Sequence, residues 1–257
     1  MVYNSLWDKI LEYDPKFIPI NSLIEYNGCL DDLLTQVQDI LPLRKSNSMS
    51  REQLYALAFS SSRIIRAVIN NKIENPSLEA DCLLREALNL GLEIYKGEFE
   101  DLIPNFRSRI IAFGQENILN FPVKQKVDGT SWYATDPRRS MKTAGKLIGK
   151  FYWDSILFIA LAHGGVAAGM DVFLRYCDIA RNNSLFYVVR FSKHKSRDLI
   201  PQLSAGEREY LIDSAKERKI VFFDEDESSG ETFTGTISYF RDLFSSSDFC
   251  FKFNIEE

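Results

Sequence analysis

The chain has 257 residues, a formal net charge of −5, and is 45% hydrophobic and 26% charged. That length allows one large domain or two small ones, and the composition is that of a soluble globular protein. The acidic balance gives no general case for nucleic-acid binding, and no apolar run approaches the roughly 20 residues of a membrane span.

The amino terminus shows no basic region followed by an apolar core, so no secretory signal is read there and a cytoplasmic location is expected. The four cysteines, Cys29, Cys82, Cys177 and Cys250, are widely spaced and form no CxxC pair. With only His163 and His194 as histidine partners, reduced and mostly buried thiols are expected rather than a zinc site.

Residues 1–120 read mainly as helix. Leu30, Leu33, Leu34, Val37 and Leu41 keep one helical face. Leu54, Leu57, Ala58, Ile65 and Val68 do the same, as do Leu84, Ala87, Leu88, Gly91 and Tyr95. Breaks are expected at Pro42 to Ser50, at Asn75-Pro76 and at Gly97 to Pro104. No repeat or catalytic motif is visible here, and the region suits a helical cap or a surface for a protein partner.

The pattern changes at Phe121, which opens a second region running to residue 257. Its first stretch, VKQKVDGTSWYATDPRR, is polar and reads as a loop or short hairpin. For its Trp132 and Tyr133, anchoring the helical region is favoured over stacking on a base. A basic helix over Met141 to Tyr152 follows. Next come a buried strand, Ser155 to Ala162, a helix from Gly165 to Tyr176 and a second strand, Leu185 to Phe191. Ser192 to Ala205 is a polar excursion, with Arg190, Lys193, His194, Lys195 and Arg197 in and around it. Ser204-Ala205-Gly206-Glu207 has the form of a capping box, so a helix is expected from there to about Arg218. Asp248 to Ile255 adds a last strand. Alternating strands and helices imply an α/β fold with a parallel sheet and right-handed crossovers. Ligands of such sheets sit at the carboxyl ends of the strands, near the topological switch point.

Two segments at such ends carry chemistry. Ile220 to Thr232 reads IVFFDEDESSGET: a buried strand, paired acids, then a small hydroxyl-rich turn opening a helix. Acids at a strand end can accept hydrogen bonds from vicinal ribose hydroxyls, while backbone N–H groups of the turn hold a phosphate. About 60 residues earlier, Ile159 to Gly169 reads IALAHGGVAAG, a strand ending in a His163-Gly164-Gly165 turn before a helix. Tandem glycines permit positive φ and close backbone approach to an anion.

The Ile220 to Thr232 segment resembles the 5-phosphoribosyl-1-pyrophosphate (PRPP) signature of type I phosphoribosyltransferases, and the resemblance extends over residues 141–255. It implies that Ser228, Ser229, Gly230, Glu231 and Thr232 bind the 5-phosphate. It also implies that Asp224 and Glu225 orient the ribose hydroxyls, directly or through Mg²⁺, as the catalytic and metal-binding acids. Ala162, His163, Gly164 and Gly165 would then form the pyrophosphate loop, with His163 either a donor or a cap of the turn. Lys193, Lys195 and Arg197 would lie in a mobile hood that closes over pyrophosphate. The sequence departs from the family's pattern at Asp226-Glu227, where the pair is usually partly apolar. Four adjacent acids repel a pyrophosphate-bearing ligand unless Mg²⁺ or basic residues compensate. The expected activity is Mg²⁺-dependent transfer of phosphoribose from PRPP to a nitrogen acceptor. The alternative is an inactive regulatory or defence-associated sensor that binds PRPP or a nucleoside monophosphate. A protein partner for the helical half and a second copy of the chain are the remaining candidate partners.

Overall fold

The structure, a computed structural model, describes all residues except 1, 2, 4, 20–24, 46–47, 98–100, 126–128, 192–197, 227–230, 246–248 and 256–257. The chain divides into two compact units, Tyr3–Trp132 and a second from Tyr133 onward.

The first unit is helical. Its elements are α1 (Leu6–Tyr13), β1 (Tyr26–Cys29), α2 (Leu30–Lys45), α3 (Arg51–Glu74), α4 (Leu78–Lys96), α5 (Leu102–Ala112) and a 3₁₀ turn over Glu116–Asn120. β2 (Pro122–Gln125) then pairs antiparallel with β1, so this part of the polar segment is a strand of the first unit rather than a free loop. α3 is buried on nearly all sides from Leu54 to Val68 and forms the axis of the unit. An aromatic cluster packs on it. Trp132 stacks on Phe17 and Tyr55, with ring centroids 4.6 and 5.4 Å away, and its indole N–H donates to the Phe17 carbonyl at 2.8 Å. Trp132 is therefore a core anchor, whereas Tyr133 is exposed.

The three expected breaks between helices are present, but two of them are shorter than expected, with their prolines inside helices. Pro42 sits within α2, which continues to Lys45. The turn beyond it is held by Arg44, whose guanidinium donates to the Ile94 and Tyr95 carbonyls at 2.7 and 3.2 Å. Pro104 falls in the first turn of α5, where a backbone N–H has no intrahelical acceptor to lose. The thiols also differ from expectation: Cys250 is buried, but Cys29, Cys82 and Cys177 are partly exposed.

The second unit is a four-stranded parallel sheet flanked by helices. A short helix, α6 (Gly129–Ala134), leads to α7 (Pro137–Phe151), β3 (Ile156–Ala162), α8 (Gly165–Ala180) and β4 (Leu185–Arg190). α9 (Ala205–Ala215), β5 (Lys219–Asp226), α10 (Glu231–Phe244) and β6 (Phe249–Ile255) complete it. α7 begins earlier than expected because the Asp136 side chain caps it, accepting from the Arg138 N–H at 2.9 Å, with Pro137 in the first helical position. The capping box is present: the Ser204 hydroxyl accepts from Glu207 N, and Glu207 accepts from Ser204 N.

The strand order is β4-β3-β5-β6. Registered residues share a face of the sheet. On one face Phe158 and Phe223 stack, and Phe158 meets Phe173 of α8. On the other face Phe222 meets Phe240 of α10, and Tyr187 donates to Glu207 of α9 at 2.8 Å. The chain runs from β3 outward to β4, then returns past β3 to β5. The switch point therefore lies between β3 and β5, where ligands of such sheets bind. Among the described residues, no helix is long and apolar enough to cross a membrane.

Candidate functional site

The carboxyl edge of the sheet opens at the switch point. β3 stays paired with β4 as far as Ala162↔Arg190, and β5 with β6 as far as Asp226↔Ile255. The ladder between β3 and β5 stops earlier, at Ala160↔Phe223. Beyond that pair the two strand ends are no longer hydrogen-bonded to each other, and the His163-Gly164-Gly165 turn lies beside the end of β5 at this crevice position of the fold class.

The glycines of the turn act through size, not through unusual backbone angles. Gly164 has φ −68° and ψ −43°, an ordinary right-handed conformation, and Gly165 is the first residue of α8. The expectation of positive φ is thus corrected. A Cβ on Gly164 would instead coincide with the carboxylate of Glu225. A Cβ on Gly165 would lie 3.2 Å from the Phe223 carbonyl oxygen and 3.4 Å from the Asp224 Cα. A Cβ on Gly169, one turn on, would lie 3.1 Å from the Ala160 Cβ and from the Phe223 ring. A run of minimal side chains thus lets the start of α8 lie directly on the end of β5. The Ala162–His163 peptide at the head of this turn is cis.

Successive strand residues face opposite sides of a sheet, which separates the two acids. Glu225 is directed to the α8 side, against Gly164, and is only 9% exposed. Asp224 and Asp226 fall on the α10 side with Phe222, and both are half-buried. The Asp224 carboxylate accepts from the Glu225 N–H at 2.9 Å. The two acids therefore do not present one joint carboxylate pair, as the sequence suggested. Glu225 belongs to the crevice with the His-Gly-Gly turn, and Asp224 to the approach of α10.

Of the proposed phosphate loop, Ser228, Ser229 and Gly230 lie outside the described residues. Glu231 opens α10, and Thr232 is buried in its first turn, its carbonyl accepting from the Thr236 hydroxyl at 2.7 Å. Lys193, His194, Lys195 and Arg197 also lie outside the described residues. The residues that flank this segment are paired with each other. Arg190, level with Ala162 in the sheet, pairs with the buried Asp198 at 3.3 Å, and its carbonyl accepts from Gln202 N at 2.9 Å. Asp198 belongs to neither sequence motif. Its only signal in the sequence is an acid placed eight residues after a strand-end arginine.

Mg²⁺ is commonly held by one or two carboxylates, with the rest of its octahedron made of phosphate oxygens and water. Glu225 in the crevice fits that role. Among the described residues no three of the His, Cys, Asp and Glu side chains converge into a protein-only cage.

Comparison with protein-family models, with curated proteins and with solved structures gives no match.

Proposed function

We propose that the second unit binds PRPP with Mg²⁺ at the β3–β5 crevice and transfers its phosphoribosyl group to a nitrogen acceptor. Support comes chiefly from one observation. Two segments about 60 residues apart, each read independently as ligand-binding, meet at the switch point, and Gly164 admits the Glu225 carboxylate.

In this reading Ser228 to Thr232 surround the 5-phosphate at the start of α10, where the helix dipole favours an anion. Glu225 accepts from a ribose hydroxyl in the crevice, and Asp224 acts from the opposite side of the strand end. The Ala162 to Gly165 turn, with Lys193, Lys195 and Arg197, faces the pyrophosphate. The acceptor's nitrogen lone pair forms the new bond to C1 of the ribose. The C1–O bond breaks with its electron pair going to pyrophosphate, and the acceptor proton passes to solvent. The protein contributes position and charge stabilisation rather than a covalent nucleophile. Mg²⁺, when bound, neutralises the leaving pyrophosphate.

One feature favours a second reading, a sensor without turnover. The Glu225 carboxylate lies against the turn assigned to pyrophosphate, and the two anions repel each other. Incubation with PRPP, Mg²⁺ and a panel of nitrogenous bases separates the two. Pyrophosphate release that requires a base supports the transferase. Saturable binding without release supports the sensor, and no binding of PRPP or nucleoside monophosphate contradicts both.

A further inference from the structure

The solvent face of α7 is a cationic stripe ending in exposed aromatics. The helix, PRRSMKTAGKLIGKF, carries five Arg and Lys and no Asp or Glu. Ser140, Thr143, Ala144, Leu147 and Phe151 are buried, and the helix packs on α8 and β6. The opposite side presents Lys142 and Lys150 exposed and Lys146 half-buried, whereas Arg139 donates to the Asn254 carbonyl of β6 at 3.4 Å. Lys142, Lys146 and Lys150 recur every fourth residue, so they stack along one line about 6 Å apart. Arg138 is not counted, because its guanidinium is engaged by Asp136 at 2.6 Å. Past the helix end, Tyr152 and Trp153 are 63% and 54% exposed and meet edge to face with centroids 4.7 Å apart.

Two glycines strengthen the case. Gly145 and Gly149 stand beside the lysines on the open face, and a Cβ on either would meet nothing within 4 Å. Neither packs against the protein, yet each costs the helix about 0.5–1 kcal/mol relative to alanine. A bare strip next to a line of cations lets a ligand's backbone lie close to the helix.

We infer that this face binds single-stranded nucleic acid, with the lysines on successive phosphates and Trp153 or Tyr152 stacked on a base. The net charge of −5 does not oppose this locally, because charges more than about 10 Å apart are largely screened at 0.1 M salt. The nearest acids in sequence are Asp136, already paired, and Asp154 beyond the aromatic pair. An anionic membrane fits less well, since interfacial helices insert their apolar face and that of α7 is buried in the fold. Duplex DNA fits less well too, because stacking requires unpaired bases. The inference is independent of the PRPP proposal.

Trp153 supplies its own probe, since Trp7 and Trp132 are fully buried. A mixed-sequence single-stranded RNA or DNA 15-mer is titrated into the full-length protein, with tryptophan emission and the anisotropy of a labelled strand as readouts. Saturable quenching is expected, weakening with salt at a slope of about −0.7 per phosphate contacted. Lys142→Gln with Lys150→Gln is expected to reduce that slope by about 1.4. Trp153→Ala is expected to abolish quenching and weaken binding about tenfold. Circular dichroism is expected to stay unchanged, as all three side chains are exposed. The inference is overturned by absence of binding at 50 mM salt, or by a salt slope that the lysine changes leave intact. Equal affinity for a duplex overturns it as well, as does stronger binding to phosphatidylserine vesicles than to the strand.

Discussion

Gly164 and Glu225 form the pair on which the candidate site turns. The glycine leaves the volume that the carboxylate fills, so Gly164→Ala forces Glu225 or the turn to move. Overpacking of this kind costs about 1–3 kcal/mol where neighbours are rigid. Glu225 is a strand-end side chain that can swing outward, so a small fall in thermal midpoint is expected together with at least a tenfold loss of PRPP affinity by calorimetry. Unchanged affinity would place the ligand elsewhere. The opposite facing of the acids yields a second test. Glu225→Gln removes a charge-assisted acceptor worth about 1.5–3 kcal/mol and is expected to weaken ribose-phosphate binding by at least tenfold. Asp224→Asn, on the far face, is expected to weaken it less; equal losses from the two changes would refute the separation.

At the scale of elements, caps and buried rings carry the local stability. Ser204 satisfies the Glu207 N–H at the start of α9, and Ser204→Ala is expected to cost about 1 kcal/mol in denaturant unfolding. Trp132 is stacked between Phe17 and Tyr55 and buried completely, so Trp132→Ala is expected to cost about 3–5 kcal/mol. A change under 1 kcal/mol would mean that the aromatic cluster does not hold the helical unit. These elements were legible in sequence where the signal is local. The Ser204-x-x-Glu207 box, the apolar run of β5 and the helix after Gly165 each announce themselves within a few residues. The break expected from Pro42 to Ser50 is present but starts only after Lys45, because Arg44 is held by α4 about 50 residues away, which no local pattern encodes.

For the whole molecule, the alternation of apolar runs and capped helices gave the parallel α/β sheet but not its strand order. That order, β4-β3-β5-β6, is what brings residues 162–165 and 224–226 to one crevice. The sequence placed Asp224 and Glu225 together because neighbours in the chain look like partners. The pleat sets them on opposite faces, with the Glu225 carboxylate against Gly164. Arg190 shows a similar limit: read as one of several loose cations, it is tied to Asp198 at the root of its segment. In the proposed function the β3–β5 site takes a phosphoribosyl ligand whose pyrophosphate must be neutralised beside Glu225. Calorimetric titration of PRPP and of a nucleoside monophosphate, each with Mg²⁺ and with EDTA, tests it directly. PRPP is expected to bind with Mg²⁺ and to lose most of its affinity in EDTA, while the monophosphate changes little. PRPP binding that is indifferent to the metal, or no heat from either ligand, would rule that function out.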